Sequence, residues 1–242
     1  MVPIPRPPLI FKLCVSVPCL CQELFNVQSH LVIGNKAYSS WSLRPWLLMK
    51  HAGIAFDEVR IPLYRQDSKQ TILSYSPAGR VPVLVDDSLT VWDSLAICEY
   101  LVEKHPEKRL WPADTRARAN ARSISAEMHS GFVHLRGQMA MNVRCRMPGR
   151  GRTPEVLAEI SRIQAMWNDC RARFGADGPF LYGEFSVADA MYAPVVSRFY
   201  TYEVELQGDA REYAEFVYAL AAMQEWITGA NSETEVISEY EP

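Results

Sequence analysis

Short apolar runs alternate with helical patterns from Leu31 to Lys104, and after His105-Pro106 the alternation stops. That order restricts the chain more than any other feature. Leu31-Val32-Ile33 reads as a buried strand closed by the turn Gly34-Asn35. A helix is predicted from about Ser40 to Ala52, with Gly53 as its stop signal. Phe56 to Ile61 reads as a second strand, and Ser68 to Ser74 as a short helix. Val81-Pro82-Val83-Leu84-Val85 and Leu89-Thr90-Val91-Trp92 flank an Asp86-Asp87 turn as the third and fourth strands. Asp93 then caps a helix to about Lys104. The order β-α-β-α-β-β-α predicts a layered α/β unit with one mixed sheet over residues 30–105.

From Asp114 onward every pattern is helical, which predicts an all-α unit over residues 114–230. Asp114 or Thr115 caps a long helix through Ala117, Ala121, Ile124, Met128, Leu135 and Met139, broken at Pro148-Gly149-Arg150-Gly151. Thr153 with Pro154 opens another, whose Val156, Ile160, Ile163, Trp167, Cys170 and Phe174 form a core stripe. Ser186-Val187-Ala188-Asp189 is a capping box, and its helix contains Pro194, where a bend is expected. Tyr213 to Trp226 reads as one last helix. Residues 231–242 read as a frayed acidic tail. Residues 1–29, opened by Pro3, Pro5, Pro7 and Pro8, read as an extension; disorder, an early start codon and a targeting segment are the three readings. Arg6 and Lys12 make a poor match to a secretory signal.

Composition excludes several functions. A formal charge of -3 on 242 residues argues against general nucleic-acid binding. No apolar run has the length of a membrane span. The six cysteines (Cys14, Cys19, Cys21, Cys98, Cys145, Cys170) match no zinc spacing, so no metal is expected, and they suit a reducing, cytoplasmic compartment. Charge is unevenly spread: Arg116 to Arg152 holds eight arginines and one acid, Glu127. A solvated helix face and an anion site are the two readings of that block.

Candidate chemistry lies in Tyr38-Ser39-Ser40-Trp41-Ser42-Leu43-Arg44-Pro45-Trp46. Pro45 lacks an N–H, which places the helix start near Ser40 to Ser42. The serines therefore sit at a helix N-terminus, either as plain caps or beside a bound anion. Pro82 inside an apolar strand is the second oddity, since proline removes a ladder hydrogen bond. A cis Val81–Pro82 bond, turning the Val81 backbone toward a ligand, would account for it.

Four segments, in this order and spacing, resemble the glutathione transferase superfamily over about Leu31 to Trp226. They are Tyr38 to Trp46, Ser76-Pro77-Ala78-Gly79-Arg80-Val81-Pro82-Val83-Leu84, Trp92-Asp93-Ser94-Leu95-Ala96-Ile97 and Phe185-Ser186-Val187-Ala188-Asp189. The chain resembles serine-type, bacterial-like members, closest to the zeta and theta groups. The resemblance implies a thioredoxin-like N-terminal domain and an all-helical C-terminal domain. It implies glutathione as co-substrate, a small electrophilic organic substrate, a detoxification role and a homodimer. Ser39 aligns best with the thiolate-donating serine, Ser40 is its rival and Tyr38 a third candidate. Val81, before Pro82, would pair its backbone with the cysteinyl moiety. Ser94 and Asp93 would hold the γ-glutamyl end, although Asp93 replaces the usual Glu or Gln. Arg80 and Gln70 would reach the glycyl end.

The energetics are adequate for such a role. Lowering a thiol pKa of roughly 8.5 by two units takes about 2.7 kcal/mol. A charged hydrogen bond from serine supplies about 1.5–3 kcal/mol, and the helix terminus about 0.3–1. No cysteine lies between Cys21 and Cys98, which disfavours cysteine-type, glutaredoxin-like chemistry. His129, Phe132, Arg136, Asn142 and Arg144 would form the wall for an acidic or electron-poor second substrate. The alternatives to conjugation are a zeta-like isomerase or dehalogenase, and a non-catalytic binding module.

Overall fold

The computed structural model describes residues 29–242; the expectations for the first 28 residues fall outside them. Strand β1 (Ser29–Ile33), helix α1 (Ser40–Ala52), β2 (Asp57–Arg60), α2 (Ser68–Leu73), β3 (Val83–Asp86), β4 (Leu89–Trp92) and α3 (Ser94–Lys104) follow one another in chain order. The sheet order is β2-β1-β3-β4. β1 runs parallel to β2, with Leu31 opposite Glu58, and antiparallel to β3, with Leu31 opposite Leu84. β3 and β4 form the hairpin.

The two-residue period of the strands sorts the core. Leu31, Ile33 and Leu84 join the main core with Leu43, Leu47 and Ile97 of α1 and α3. Val32 and Val83 point the other way, onto Ile61 just after β2 and Ile72 of α2. The result is the thioredoxin-like sandwich of helix, sheet and helix. Val81–Pro82, just before β3, is a cis peptide bond.

The helical half comprises α4 (Thr115–Ser130), α5 (Val133–Gln138), α6 (Pro154–Phe174), α7 (Val187–Thr201), α8 (Asp209–Ala219) and α9 (Ala221–Asn231). Two expectations are corrected here. The long helix through Met139 is divided, because Gly131 leaves helical geometry and Phe132 takes φ 52°. A Cβ on Gly131 would lie 2.7 Å from the Glu127 carbonyl oxygen, so glycine permits the break. The single helix from Tyr213 to Trp226 is also two, divided at Leu220 with ψ 136°.

Helix α7 is the axis of this half. Its capping box is formed: Asp189 Oδ2 accepts from Ser186 N–H at 2.8 Å and from Ser186 Oγ at 2.9 Å. Leu181 N–H donates to Asp189 Oδ1 at 3.2 Å, tying the preceding loop to the helix start. Burial pushes the Asp189 carboxyl up to about 6 despite these bonds. Helix α7 continues through Pro194 and packs against α1 more extensively than any other helix does. The N-terminal end of α1 is thereby held between the two halves. No helix among the described residues is long and apolar enough to cross a membrane.

The acidic tail is the third correction. Glu233 accepts backbone N–H bonds from Lys36 at 2.7 Å and Ala37 at 3.1 Å. Farther on, Glu241 meets the Tyr38 hydroxyl and Arg144. Residues 232–242 are therefore bound to the β1–α1 loop and to the segment after α5. Their acids meet cations and free N–H groups far away in sequence, which a local reading does not register.

Candidate active site

Ser39 is the residue before α1, yet its hydroxyl caps nothing in the helix. Its Oγ lies 2.7 Å from Ser42 Oγ, which also accepts from Gly34 N–H at 3.1 Å. The plain N-cap reading of Ser39 is thereby removed. Ser40 Oγ accepts from Arg198 Nη2 at 3.3 Å. The Tyr38 hydroxyl is engaged: it donates to Glu241 and accepts from Arg144 and, at 3.2 Å, from Ile237 N–H. Burial, then the bond to Glu241, raises the Tyr38 pKa above its ordinary value.

A cleft of about 890 Å³ opens beside these residues. Tyr38, Ser39, Ser40 and Trp41 line it together with Arg80, Val81, Arg136 and Arg198. Arg65, Lys69 of α2, and Glu239 and Tyr240 of the C-terminal tail line it as well. Five cations and one carboxylate, Glu239, line this space, so its field favours an anion. A separate cavity of about 540 Å³, lined by Tyr200, Glu205 and Arg211, contains none of the candidate residues.

The structure brings Ser39, Ser40, Arg80 and Val81 into the one cleft, together with the third candidate, Tyr38. Pro82, Asp93 and Ser94 do not line it. Pro82 is buried behind Val81 in sequence. Asp93, at φ 76°, caps α3 by accepting from Leu95 N–H at 2.9 Å and Ala96 N–H at 3.3 Å. Its other oxygen lies 3.1 Å from His129 Nε2. Ser94 is 1% exposed and accepts from Arg44 Nη1 at 3.3 Å. Of the expected second-substrate wall, Arg136 alone lines the cleft. His129 is turned to Asp93 and Trp41, Phe132 is buried, and Asn142 and Arg144 hold the tail.

Two buried arginines escaped the sequence reading. Arg44 is 1% exposed, with its guanidinium 4.2 Å above the Trp41 ring and its Nε without a partner. Burial, then the nearby Arg198, lowers its pKa to about 9. Arg198 is buried in α7, also without a carboxylate partner among the described residues. Each is the single charge in its helix stretch, Leu43 to Met49 and Met191 to Phe199. That isolation was the available signal.

Residues 38–104 match the family model for the glutathione S-transferase N-terminal domain, and residues 151–229 the one for the C-terminal domain. The chain is 31% identical over 172 residues to maleylacetoacetate isomerase of Rattus norvegicus, covering 69% of this chain and 76% of that one. It is 37% identical over 96 residues to a probable maleylacetoacetate isomerase of Caenorhabditis elegans, covering 40% of this chain and 44% of the relative. The match thus spans less than half the length of the worm protein. A glutathione transferase homolog from Burkholderia gl BGR1, solved with bound glutathione, superposes with a TM-score of 0.62 at 21% identity, covering 85% of this chain and 99% of that one. A glutathione S-transferase from Rhodospirillum rubrum F11 gives 0.65 at 21% identity over 88% and 96%. A thioredoxin-like half followed by a helical half is the architecture of the glutathione transferase class. The chain belongs to the glutathione transferase superfamily and is zeta-like within it.

Proposed function

We propose that the chain is a glutathione-dependent transferase that uses a serine hydroxyl at the start of α1 to stabilise the thiolate. The observation that carries this reading is that the Ser39–Ser40 turn and Val81, before its cis proline, line one cleft. The donor set fits a tripeptide with two carboxylates, since Arg65, Lys69 and Arg80 all line the cleft. Glutathione, when bound, supplies a thiolate nucleophile for a small electrophilic substrate. The chain's own residues orient that ligand, donate to its sulfur from Ser39 or Ser40, and exclude water with Trp41 and Tyr240. The donor serine keeps its own proton, and the thiol proton passes to solvent.

A second reading is a zeta-like isomerase or dehalogenase. It is favoured by relatives named maleylacetoacetate isomerase and by the cationic wall of Arg136 and Arg198, which suits an acidic substrate. The two readings separate on consumption: conjugation uses glutathione stoichiometrically, and isomerisation returns it. The working unit is proposed to be a homodimer in the cytoplasm, on family likeness.

The test is calorimetric binding of glutathione, then turnover of a panel of electrophiles by native protein, Ser39→Ala and Ser40→Ala. Binding with turnover lost in at least one variant is expected. Binding without turnover on every electrophile would leave a non-catalytic glutathione-binding module; full turnover in both variants would remove the serine mechanism.

A further inference from the structure

The two serines are backed differently. Ser39 Oγ meets a neutral hydroxyl of its own helix, Ser42 Oγ at 2.7 Å. Ser40 Oγ meets a cation delivered by α7, Arg198 Nη2 at 3.3 Å. A hydroxyl whose oxygen accepts a charged donor keeps its hydrogen for another acceptor and is polarised toward it.

Arg198 is held with unusual firmness. It is 4% exposed, its Nε donates to the Met139 carbonyl at 2.7 Å and its Nη1 to the Pro194 carbonyl at 3.2 Å. With the bond to Ser40, three contacts fix the guanidinium plane, and none is to a carboxylate. The ionisable groups facing it are Arg136 of α5, Arg44 of α1 and Tyr202 just beyond α7, and none of them is a carboxyl. Burial lowers the Arg198 pKa to about 10, so the group remains charged at neutral pH. A buried cation without a counter-ion is costly unless a bound anion completes it. Arg198 and Ser40 line the same cleft.

We propose that Arg198 is the positioning residue for Ser40, fixing its hydroxyl as the donor to the glutathione thiolate and supplying the positive charge against which that thiolate forms. The inference rests on the glutathione reading of the cleft given above. When the thiol ionises, its proton goes to solvent, Ser40 retains its own, and no covalent bond of the protein changes. Ser39, bonded to Ser42, shapes the turn.

The test titrates protein-bound glutathione by the ultraviolet absorbance of its thiolate. Native protein is compared with Ser39→Ala, Ser40→Ala, Arg198→Lys and Arg198→Met, each checked for folding by circular dichroism. The thiol pKa is expected to rise by about one to three units in Arg198→Met and to recover in part in Arg198→Lys. Ser40→Ala should raise it more than Ser39→Ala, and its effect should not add to that of Arg198→Lys. Affinity for S-methylglutathione, which has no ionisable thiol, should stay near native in every variant. If Arg198→Met does not fold, Ser40→Ala, which leaves the other two bonds of Arg198 in place, decides. An unshifted pKa in Ser40→Ala and the Arg198 variants overturns the proposal, as does a rise in KM for acidic acceptors alone. Failure of native protein to bind either compound overturns the glutathione reading as well, and is distinct from normal binding with an unshifted pKa.

Discussion

The Tyr38 hydroxyl donates a hydrogen bond to the carboxylate of Glu241, 203 positions later in the chain. Asn142 Nδ2 donates to the same carboxylate at 3.1 Å, and Arg144 pairs with it at 3.4 Å. Beside them the Tyr240 hydroxyl lies 3.0 Å from that of Tyr64, across the cleft rim. The tail is therefore a wall of the candidate site.

Glu241→Ala should lower folding stability by about 1 kcal/mol, because a partly exposed carboxylate with charged partners is lost. Urea denaturation of the two proteins measures this. Calorimetry should also give weaker glutathione binding in the variant, since Tyr240 loses its anchored neighbour.

Tyr38→Phe should leave the pKa of bound glutathione unchanged. The hydroxyl is already committed to Glu241, Arg144 and Ile237, so it has no donor to offer a thiolate. Thiolate absorbance reads this directly, and a rise comparable with that of a serine variant would make Tyr38 the donor instead.

Arg44→Met should leave stability unchanged or raise it. A buried guanidinium without a carboxylate partner gives way to an apolar side chain of similar reach. Glutathione affinity should stay within about threefold of native, the equivalent of about 0.7 kcal/mol, because neither Arg44 nor its partner Ser94 lines the cleft. Denaturation and calorimetry on the same variant separate the two effects.

Asp86 sets an acid limit. Burial alone would raise its pKa, but hydrogen bonds from Lys104, Ser29 and Tyr100 hold it down at about 2. The folded carboxyl thus ionises below the unfolded one, and the stability it contributes is present above pH of about 4 and lost as pH falls toward 2. The native protein should exceed Asp86→Asn by about 2 kcal/mol at neutral pH, and their urea midpoints should converge over that acid range.

What was legible in the sequence was local. The β1–α1–β2 order followed from apolar period and from Gly34, Pro45 and Gly53. The capping box at Ser186 and Asp189 could be read because both partners lie within one turn. The break at Gly131 was hidden by apolar spacing that carries on through Leu135 and Met139. The break at Leu220 carries no proline or glycine at all. The cleft's turn residues Ser39, Ser40 and Val81 and two of its charges, Arg80 and Arg136, were legible, while Arg198 was not. Arg44 and Arg198 acquire meaning only when α1 and α7 come together, and Glu241 only when the tail reaches Tyr38. Long-range pairs of this kind have no sequence spacing to announce them.

The seam between α1 and the helical half limits how this protein can be recombined. Trp46 of α1 sits edge-on to Trp226 of α9 with ring centres 5.0 Å apart, and Trp226 Nε1 donates to the Lys36 carbonyl at 2.8 Å. A chimera that joined residues 29–104 to the helices of a relative would inherit a serine turn without Trp226, Arg198 or Glu233. Such a hybrid would fold its sheet yet misplace the start of α1, unless those three positions were grafted with it. The unit of exchange between relatives is therefore the pair of halves, and module shuffling at the α3–α4 linker is disfavoured.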